Sequence, residues 1–258
     1  MDYQRRFGGV ARLYGQQALD RFARAHVAVV GIGGVGSWAV EALARSGIGK
    51  LTLFDLDHVA ESNLNRQLPA LDETLGMAKV QVMNRRIHAI NPECVVNAHE
   101  QFIELENVDL LCEGGYDHVM DCIDNFRIKA AMIAACRRAK VPIVTLGGAG
   151  GQTDPTQIRL ADLSRSEHDP LLSRTRKLLR QQYGFTTNLK RRFNVPCVYS
   201  LEQQRQPVSL AEQCDTGSSA GVEGSLNCAG YGSVMTVTAG FGLAAASHVL
   251  DKLAACAS

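Results

Sequence analysis

GIGGVGSWAVEALARSGIGKLTLFDLD, Gly31 to Asp57, decides the fold. It opens with G-x-G-x-x-G, set by Gly31, Gly33 and Gly36, and closes on acidic residues. Just before it, His26–Val30 (HVAVV) is a short apolar run that predicts a buried strand. After the glycines, Gly34–Ser46 has helical spacing, with Val35, Ala39, Ala42 and Leu43 on one side. Leu51–Phe54 predicts a second strand. Strand, glycine turn, helix and strand, ending in a carboxylate, begin a nucleotide-binding βαβ unit. The glycines let backbone amides approach a phosphate at the positive end of the helix. Asp55, at the end of the second strand, is placed to accept hydrogen bonds from ribose hydroxyls. Gly31, Gly33, Gly34, Gly36, Asp55 and Asp57 are therefore the first candidate nucleotide ligands. At this point NAD and ATP are served equally, and a tight turn without a ligand is the bland alternative.

Working outward, the same rhythm continues. Leu75–Ala89 predicts a helix stopped at Asn91-Pro92, Val95–Ala98 a third strand and Leu105–Cys112 a further helix. His118–Cys122, Phe126–Ala139 and Val141–Leu146 read as strand, crossover helix and strand. The alternation predicts an α/β fold: a doubly wound, mainly parallel Rossmann-like sheet with helices on both faces. After Gly147 the rhythm breaks into short strands, loops and a C-terminal helix, a mixed extension. No repeat or low-complexity linker interrupts the chain. We therefore expect one domain: an N-terminal arm at 1–25, a nucleotide-binding core at 26–150, and a substrate and dimer region at 151–258.

Composition narrows the class. The 258 residues are 46% apolar, enough for a substantial core, and the net charge of +1 says nothing about partners. Met1–Ala11 carries Asp2, Arg5 and Arg6 and no apolar core segment, so no signal peptide is visible and a cytoplasmic location is expected. The eight cysteines form no C-x-x-C pair, which argues against a four-cysteine zinc site and fits reduced thiols. Leu226–Leu250 has no Asp, Glu, Lys or Arg and is long enough to span a bilayer. Its Asn227, Thr236, Thr238, Ser247, His248 and glycines favour a packed helix over membrane association.

The run after the second strand separates ATP from NAD. It reads HVAESNLNRQL, His58 to Leu68, and a hydride-transferring enzyme has no evident use for it. Asn63, Arg66 and Gln67 project from the carboxyl edge of the sheet. Arg66 brings a fixed cation to the phosphates, and Lys79 adds a second from the next helix. Such a pair suits a triphosphate whose leaving pyrophosphate gains charge. DCIDN, Asp121 to Asn125, follows at the end of the fourth strand. There Asp124 can hold Mg²⁺ against the phosphates, with Asn125 beside it. Singly, Lys79 reads as a solvated lysine and Asp124 as a helix N-cap; together and in this order they do not.

GIGGVG, LFDLDHVAESNLNRQ, Lys79 and DCIDN resemble the adenylation core shared by ubiquitin-activating enzymes and the bacterial ThiF and MoeB proteins. The resemblance implies ATP-Mg-dependent adenylation of a carboxylate. It implies nucleotide contact at Gly34, ribose contact at Asp55, phosphate contacts at Asn63, Arg66 and Lys79, and metal at Asp124. It also implies a homodimer with two active sites. The chain departs from the ThiF and MoeB pattern in lacking paired C-x-x-C motifs. It also has Gly9 where that branch supplies an arginine to the neighbouring subunit, leaving Arg6 or Arg12 as substitutes. RFGGVARLYG, SRSEHDPLLSRTRKLLR, FNVPCVYSLEQ and GYGSVMTVTAGFGLAAASHVL resemble a third branch, the tRNA threonylcarbamoyladenosine dehydratases. That resemblance implies activation of a carboxylate beside the tRNA anticodon, ring closure with loss of water, and a link to a cysteine-desulfurase sulfur relay.

The residues themselves also point to a polyanion. Pro170 to Leu201 has no acidic residue and holds Arg174, Arg176, Lys177, Arg180, Lys190, Arg191 and Arg192. Taking those 7 cations from a chain of net +1 leaves −6 on the remainder. A basic segment on an acidic body is an electrostatic footprint for nucleic acid. Tyr183, Phe185 and Phe193 are interleaved as possible stacking surfaces for unpaired bases. The bland alternative is a solvated basic helix over Leu171–Tyr183, packed by Leu172, Leu178 and Leu179. Cys214 and Cys197 are sulfur-relay candidates only, with a structural role favoured for each. The competing functions are adenylation of a ubiquitin-like sulfur carrier, a sulfur-relay adaptor that keeps nucleotide binding, and an NAD dehydrogenase. The missing zinc motifs, the intact Arg66–Lys79–Asp124 set and the lack of a proton donor weigh against them in turn.

Overall fold

The computed structural model describes residues 2–205 and 231–255. Two helices come first, α1 (Tyr3–Tyr14) and α2 (Gln16–Arg24), followed by β1 (His26–Val30), α3 (Gly36–Arg45) and β2 (Lys50–Phe54). Then come α4 (Lys79–Ile90), β3 (Val95–His99), α5 (Leu110–Glu113), β4 (His118–Asp121), α6 (Phe126–Ala139) and β5 (Ile143–Leu146). The C-terminal part adds β6 (Ile158–Asp162), α7 (Pro170–Gln182), β7 (Pro196–Ser200) and α8 (Met235–Ala255).

The strands form a 7-stranded sheet in the order β3-β2-β1-β4-β5-β7-β6. All neighbours are parallel except β6, which runs antiparallel to β7 at the edge. From β1 the chain steps to β2 on one side and later to β4 on the other. That reversal opens a crevice at the carboxyl ends of β1 and β4, where open α/β sheets bind ligands. Alternation along β1 sends Val27 and Val29 into one apolar cluster, with Leu43, Met83 and Phe241, and Ala28 and Val30 into another, with Ile133 and Leu172. Helices thus cover both faces, and β1 is buried along its whole length.

The boundaries differ from the sequence reading where local polar contacts compete with periodicity. Leu75–Ala78 is not helical. Gly76 has φ 79°, its N–H donates to the Val59 carbonyl at 2.9 Å, and Ala78 bridges His58. Helix α4 therefore starts only at Lys79. The predicted helix over 105–112 shrinks to Leu110–Glu113 because Asn107 folds the chain into a turn. Its side chain accepts from the Glu104 N–H at 2.7 Å and donates to the Phe102 carbonyl at 2.9 Å. Strand β5 starts at Ile143, since Val141 is still bonded back to the Cys136 carbonyl.

Helix α8 takes up most of the uncharged C-terminal stretch, and residues 226–230 of it lie outside the described residues. Phe241, Ala245, Val249 and Leu253 are buried on it. Among the described residues no helix is long and apolar enough to cross a membrane.

His118 opens β4 at the sheet's amino end, 2% exposed, its ring 6.1 Å from that of His248. Burial pushes its pKa down from 6.5 to about 4. A lowered folded pKa means that the unfolded chain takes up the proton first. The stability His118 contributes is complete above pH 6.5 and is lost as pH falls toward 4. The loss is at most about 1.4 kcal/mol per pH unit. His118→Gln should therefore flatten the fall in unfolding free energy between pH 7 and pH 5, measured by urea titration. Equal slopes in the two proteins would remove His118 from that account.

Candidate active site

The crevice is built first from the turn after β1. Gly31 has φ 88°, a conformation that favours glycine, and its N–H donates to the Phe54 carbonyl at the end of β2. A Cβ on Gly36 would lie 1.8 Å from the Gly31 carbonyl oxygen, so the helix can start here only with glycine. Among the described residues the N-terminus of α3 has no side-chain cap, and its first turn holds no acid. Its amides are thus left for an anion. Ser37 fixes the loop by donating to the Gly33 carbonyl at 2.6 Å. Helix α8 presses on the loop from outside. A Cβ on Gly242 would sit 2.4 Å from the Val35 carbonyl oxygen, and one on Gly34 would meet Thr238 at 3.5 Å.

Asp55 follows β2 and is 5% exposed. Its Oδ2 accepts from the Ile32 N–H at 2.6 Å and its Oδ1 from the Asp57 N–H at 2.8 Å. Burial raises its pKa, opposed by the charge of Lys79. Lys79 is not a solvated helix lysine. Its side chain is 5% exposed, and Nζ lies 2.8 Å from Asp57 Oδ2. The sequence-predicted Asp55, Asp57 and Lys79 therefore form one charged group beside the glycine loop. Asp55→Ala should weaken ATP binding by about 1–3 kcal/mol, the scale of lost charge-assisted hydrogen bonds. Calorimetry with ATP tests this; unchanged affinity would end the ribose assignment.

The segment between β2 and α4 brings Asn63, Arg66 and Gln67 to the same place. Asn63 Oδ1 accepts from the Ala60 N–H and locks a short 3₁₀ turn. Arg66 lies over the glycine loop, with its Cγ 3.2 Å from where a Gly34 Cβ would be. Trp38 on α3 holds the Arg66 carbonyl at 3.0 Å, and the Arg66 guanidinium rests on the Ser62 carbonyl and the Asn65 side chain. Gln67 is buried, and its Oε1 has no partner among the described residues. A buried, unsatisfied amide beside Gly33 is what a ligand-binding loop leaves behind.

The loop after β4 completes the crevice. Asn125, not Asp124, caps α6: its Oδ1 accepts from the Arg127 and Ile128 N–H groups at 3.0 and 3.4 Å. This leaves Asn125 only its amide N–H groups for a ligand. Asp124 is exposed, and its carboxylate makes no hydrogen bond or ion pair with the described residues. One free carboxylate of this kind has the chemistry Mg²⁺ takes, since that ion keeps several waters and binds through one or two carboxylates.

Sequence reasoning missed the support beneath this loop. Asp121 and Lys129 are both fully buried and paired at 2.8 Å. Thr145 on β5 donates to Asp121 Oδ2 at 2.6 Å. The available signal was a lone lysine within the apolar FRIKAAMIAAC. Asp169 was missed too. It caps α7 through the Leu172 N–H and accepts from the Gly148 N–H at 2.8 Å, tying the basic helix to the glycine-rich turn after β5.

The basic segment divides. Arg174, Lys177, Lys190, Arg191 and Arg192 are exposed, whereas Arg176 and Arg180 are half-buried. Arg176 reaches Ser166, and Arg180 lies 5.1 Å from the centre of the Phe193 ring. The aromatic residues are not free stacking platforms. Phe193 is 3% exposed and packs edge-on against Phe185, and Tyr183 and Phe185 lean on the same core. Their apolar surface is worth more inside than on a base. Leu172 and Leu179 pack the helix as expected, joined by Leu171 and Thr175, while Leu178 is half-buried. Cys197 is fully buried and its thiol is pushed well up by burial, which disfavours a nucleophilic role. Cys214 lies outside the described residues.

Comparison with known proteins adds the following. The model of the ThiF family matches residues 3–258. A tRNA threonylcarbamoyladenosine dehydratase of Haemophilus influenzae is 50% identical over 253 residues, 98% of this chain and 94% of that protein. One of Escherichia coli is 49% identical, covering 98% of this chain and 95% of that protein. The crystal structure of the E. coli tRNA N6-threonylcarbamoyladenosine dehydratase, TcdA, in complex with ATP superposes with a TM-score of 0.88 at 48% identity. That match covers 98% of this chain and 96% of the other.

Proposed function

The chain belongs to the ThiF family, and from that membership we propose that it uses ATP to dehydrate threonylcarbamoyladenosine beside the anticodon of tRNA. The observation that carries the tRNA reading is where the basic helix begins. Pro170 and Leu171, its first residues, line the same pocket as Asp124 and Gly148. An RNA held along α7 thus leads to the adenylation site. A sulfur-carrier protein offers no reason for that basic approach.

The chemistry follows from the charges. A free carboxylate is a poor electrophile because oxide would have to leave. Here one carboxylate oxygen attacks the α-phosphorus of ATP, and pyrophosphate departs. The uncapped amides of α3, Arg66 and Lys79 stabilise the negative charge that gathers on the phosphates. Asp55 holds the ribose. Asp124 would hold Mg²⁺, which supplies further neutralisation of the phosphates. A nitrogen of the same substrate then attacks the acyl carbon, AMP leaves, and the ring closes with net loss of water. Because nucleophile and electrophile sit in one molecule, effective molarity is high and no protein nucleophile is needed. The thiols of Cys122, Cys136 and Cys197, all pushed up by desolvation, accord with that.

The same reading carries the division of the chain into a nucleotide core at 26–150 and a substrate and dimer region at 151–258. It carries a cytoplasmic homodimer too. Arg6 is engaged with the Ile90 carbonyl of its own chain. Arg12 is exposed and makes no hydrogen bond or ion pair with the described residues, so it is the freer cation for a neighbouring site. A cysteine-desulfurase partner rests on family resemblance, without support from Cys197.

The decisive experiment is mass spectrometry of nucleosides from modified tRNA after incubation with the protein and ATP-Mg. Loss of one water from threonylcarbamoyladenosine is expected. Unchanged nucleosides, with pyrophosphate exchange driven by a sulfur-carrier protein, would replace this reading with the carrier-activating one.

A further inference from the structure

Arg127, which no motif includes, and Arg174 of the basic segment share one aromatic ring, that of Phe126, two residues from Asp124. The guanidinium carbon of Arg127 lies 5.7 Å from the centre of the Phe126 ring, and that of Arg174 lies 5.9 Å from the same centre. Arg127 is the second residue of α6 and Arg174 stands in the second turn of α7. Both are exposed, and neither side chain has a carboxylate partner or a hydrogen bond among the described residues.

This placement opposes the local electrostatics. Helix N-termini carry partial positive charge and favour acids nearby. Neither helix has an acid in its first turn, yet each brings an arginine to that end. The two ends meet, because Asp124, just before α6, and Pro170, at the start of α7, line one pocket. Two cations and two positive helix ends therefore gather beside one free carboxylate. The other acid at these ends, the α7 cap Asp169, is buried and spends its carboxylate on the Leu172 and Gly148 N–H groups, and local charge conflicts of this kind gather at functional sites. Each guanidinium lies within cation–π reach of the ring, and such planar forks suit phosphate oxygens.

We propose that Arg127 and Arg174, fixed on Phe126, grip the RNA phosphate next to the reacting nucleoside and so set its carboxylate beside Asp124. The proposal rests on the tRNA reading above and names the point where the RNA is registered against the active site. Phosphates further from the nucleoside fall to Lys177, Lys190, Arg191 and Arg192, whose loss would lower affinity without disturbing that register.

The test uses a synthetic anticodon stem-loop carrying threonylcarbamoyladenosine, and versions in which one flanking phosphate is an uncharged methylphosphonate. Binding to the full-length protein is read by fluorescence anisotropy, which does not depend on turnover. Replacing both arginines (Arg127→Met with Arg174→Met) should weaken binding about 10- to 100-fold, the factor for one or two lost charge-assisted hydrogen bonds. Neutralising the right phosphate should weaken wild-type binding similarly and add nothing in the double variant, since both changes remove one interaction. The melting temperature should hold or rise, because repulsion is relieved. Equal affinity in the double variant, or effects that simply add at every flanking phosphate, would overturn the proposal. A wild-type protein that binds the stem-loop in this pattern but never dehydrates it would refute the reaction and leave the grip standing.

Discussion

Asp124→Ala should lower turnover by about a thousandfold, close to 4 kcal/mol of transition-state stabilisation, and leave the melting temperature unchanged. The second half of that statement is what gives the first its meaning. Asp124 is exposed and makes no hydrogen bond or ion pair with the described residues, so removing it takes nothing from the fold. The helix cap that might have employed it belongs to Asn125. What remains for Asp124 is the ligand side of the crevice, where one carboxylate suits a metal that also binds phosphates. Single-turnover dehydration at saturating ATP-Mg measures the loss, and Asp124→Asn should recover little, because an amide is a weak Mg²⁺ ligand. Wild-type rates in the alanine variant would mean that the metal, if used, is held elsewhere.

The second large effect falls on the glycine loop. Gly36→Ala should abolish measurable ATP binding and destabilise the fold by about 1–3 kcal/mol, the usual cost of overpacking. The added methyl would sit 1.8 Å from the Gly31 carbonyl oxygen, a backbone atom that cannot swing aside. Relief requires moving the start of α3 off β1, and with it the open amides. Gly33→Ala separates packing from ligand approach. The nearest atom to its Cβ would be Gln67 Nε2 at 4.0 Å, so the free protein should tolerate the methyl while the nucleotide does not. Urea unfolding and calorimetry on both variants test the pair. A Gly36→Ala protein with normal ATP affinity would show that the loop is not the phosphate cradle.

Some of this was legible from sequence and some was not, for physical reasons. His26–Val30 and Phe126–Ala139 match the structure residue for residue because burial on both sides, or a clean cap at Asn125, leaves no competitor. Leu75–Ala78 misled because its apolar residues serve a pairing with His58 and Val59 that lies sixteen or more residues back, which periodicity cannot see. Asp55, Arg66, Lys79 and Asp124 could be singled out as candidates because each is attached to a motif of fixed spacing. The Asp121–Lys129–Thr145 group was not, since its members come from β4, α6 and β5 and meet only on folding. Arg127 escaped notice for the same reason. Its meaning comes from Arg174, on another helix, and from the ring between them.

The seat of α8 on the glycine loop has a consequence for the order of synthesis. The loop is made early, but Thr238 and Gly242, which press against Gly34 and Val35, are made late. At about 5–20 residues per second, roughly two hundred residues of translation separate the two by about 10–40 s. During that interval the nascent chain carries the fingerprint with one side of α3 bare, and Leu43 and Ala39 have lost the shelter of Phe241 and Ala245. The nucleotide site is therefore among the first parts encoded and among the last completed. Chains stopped short of α8 should be sticky, unable to hold ATP, and open to the cell's chaperones and proteases.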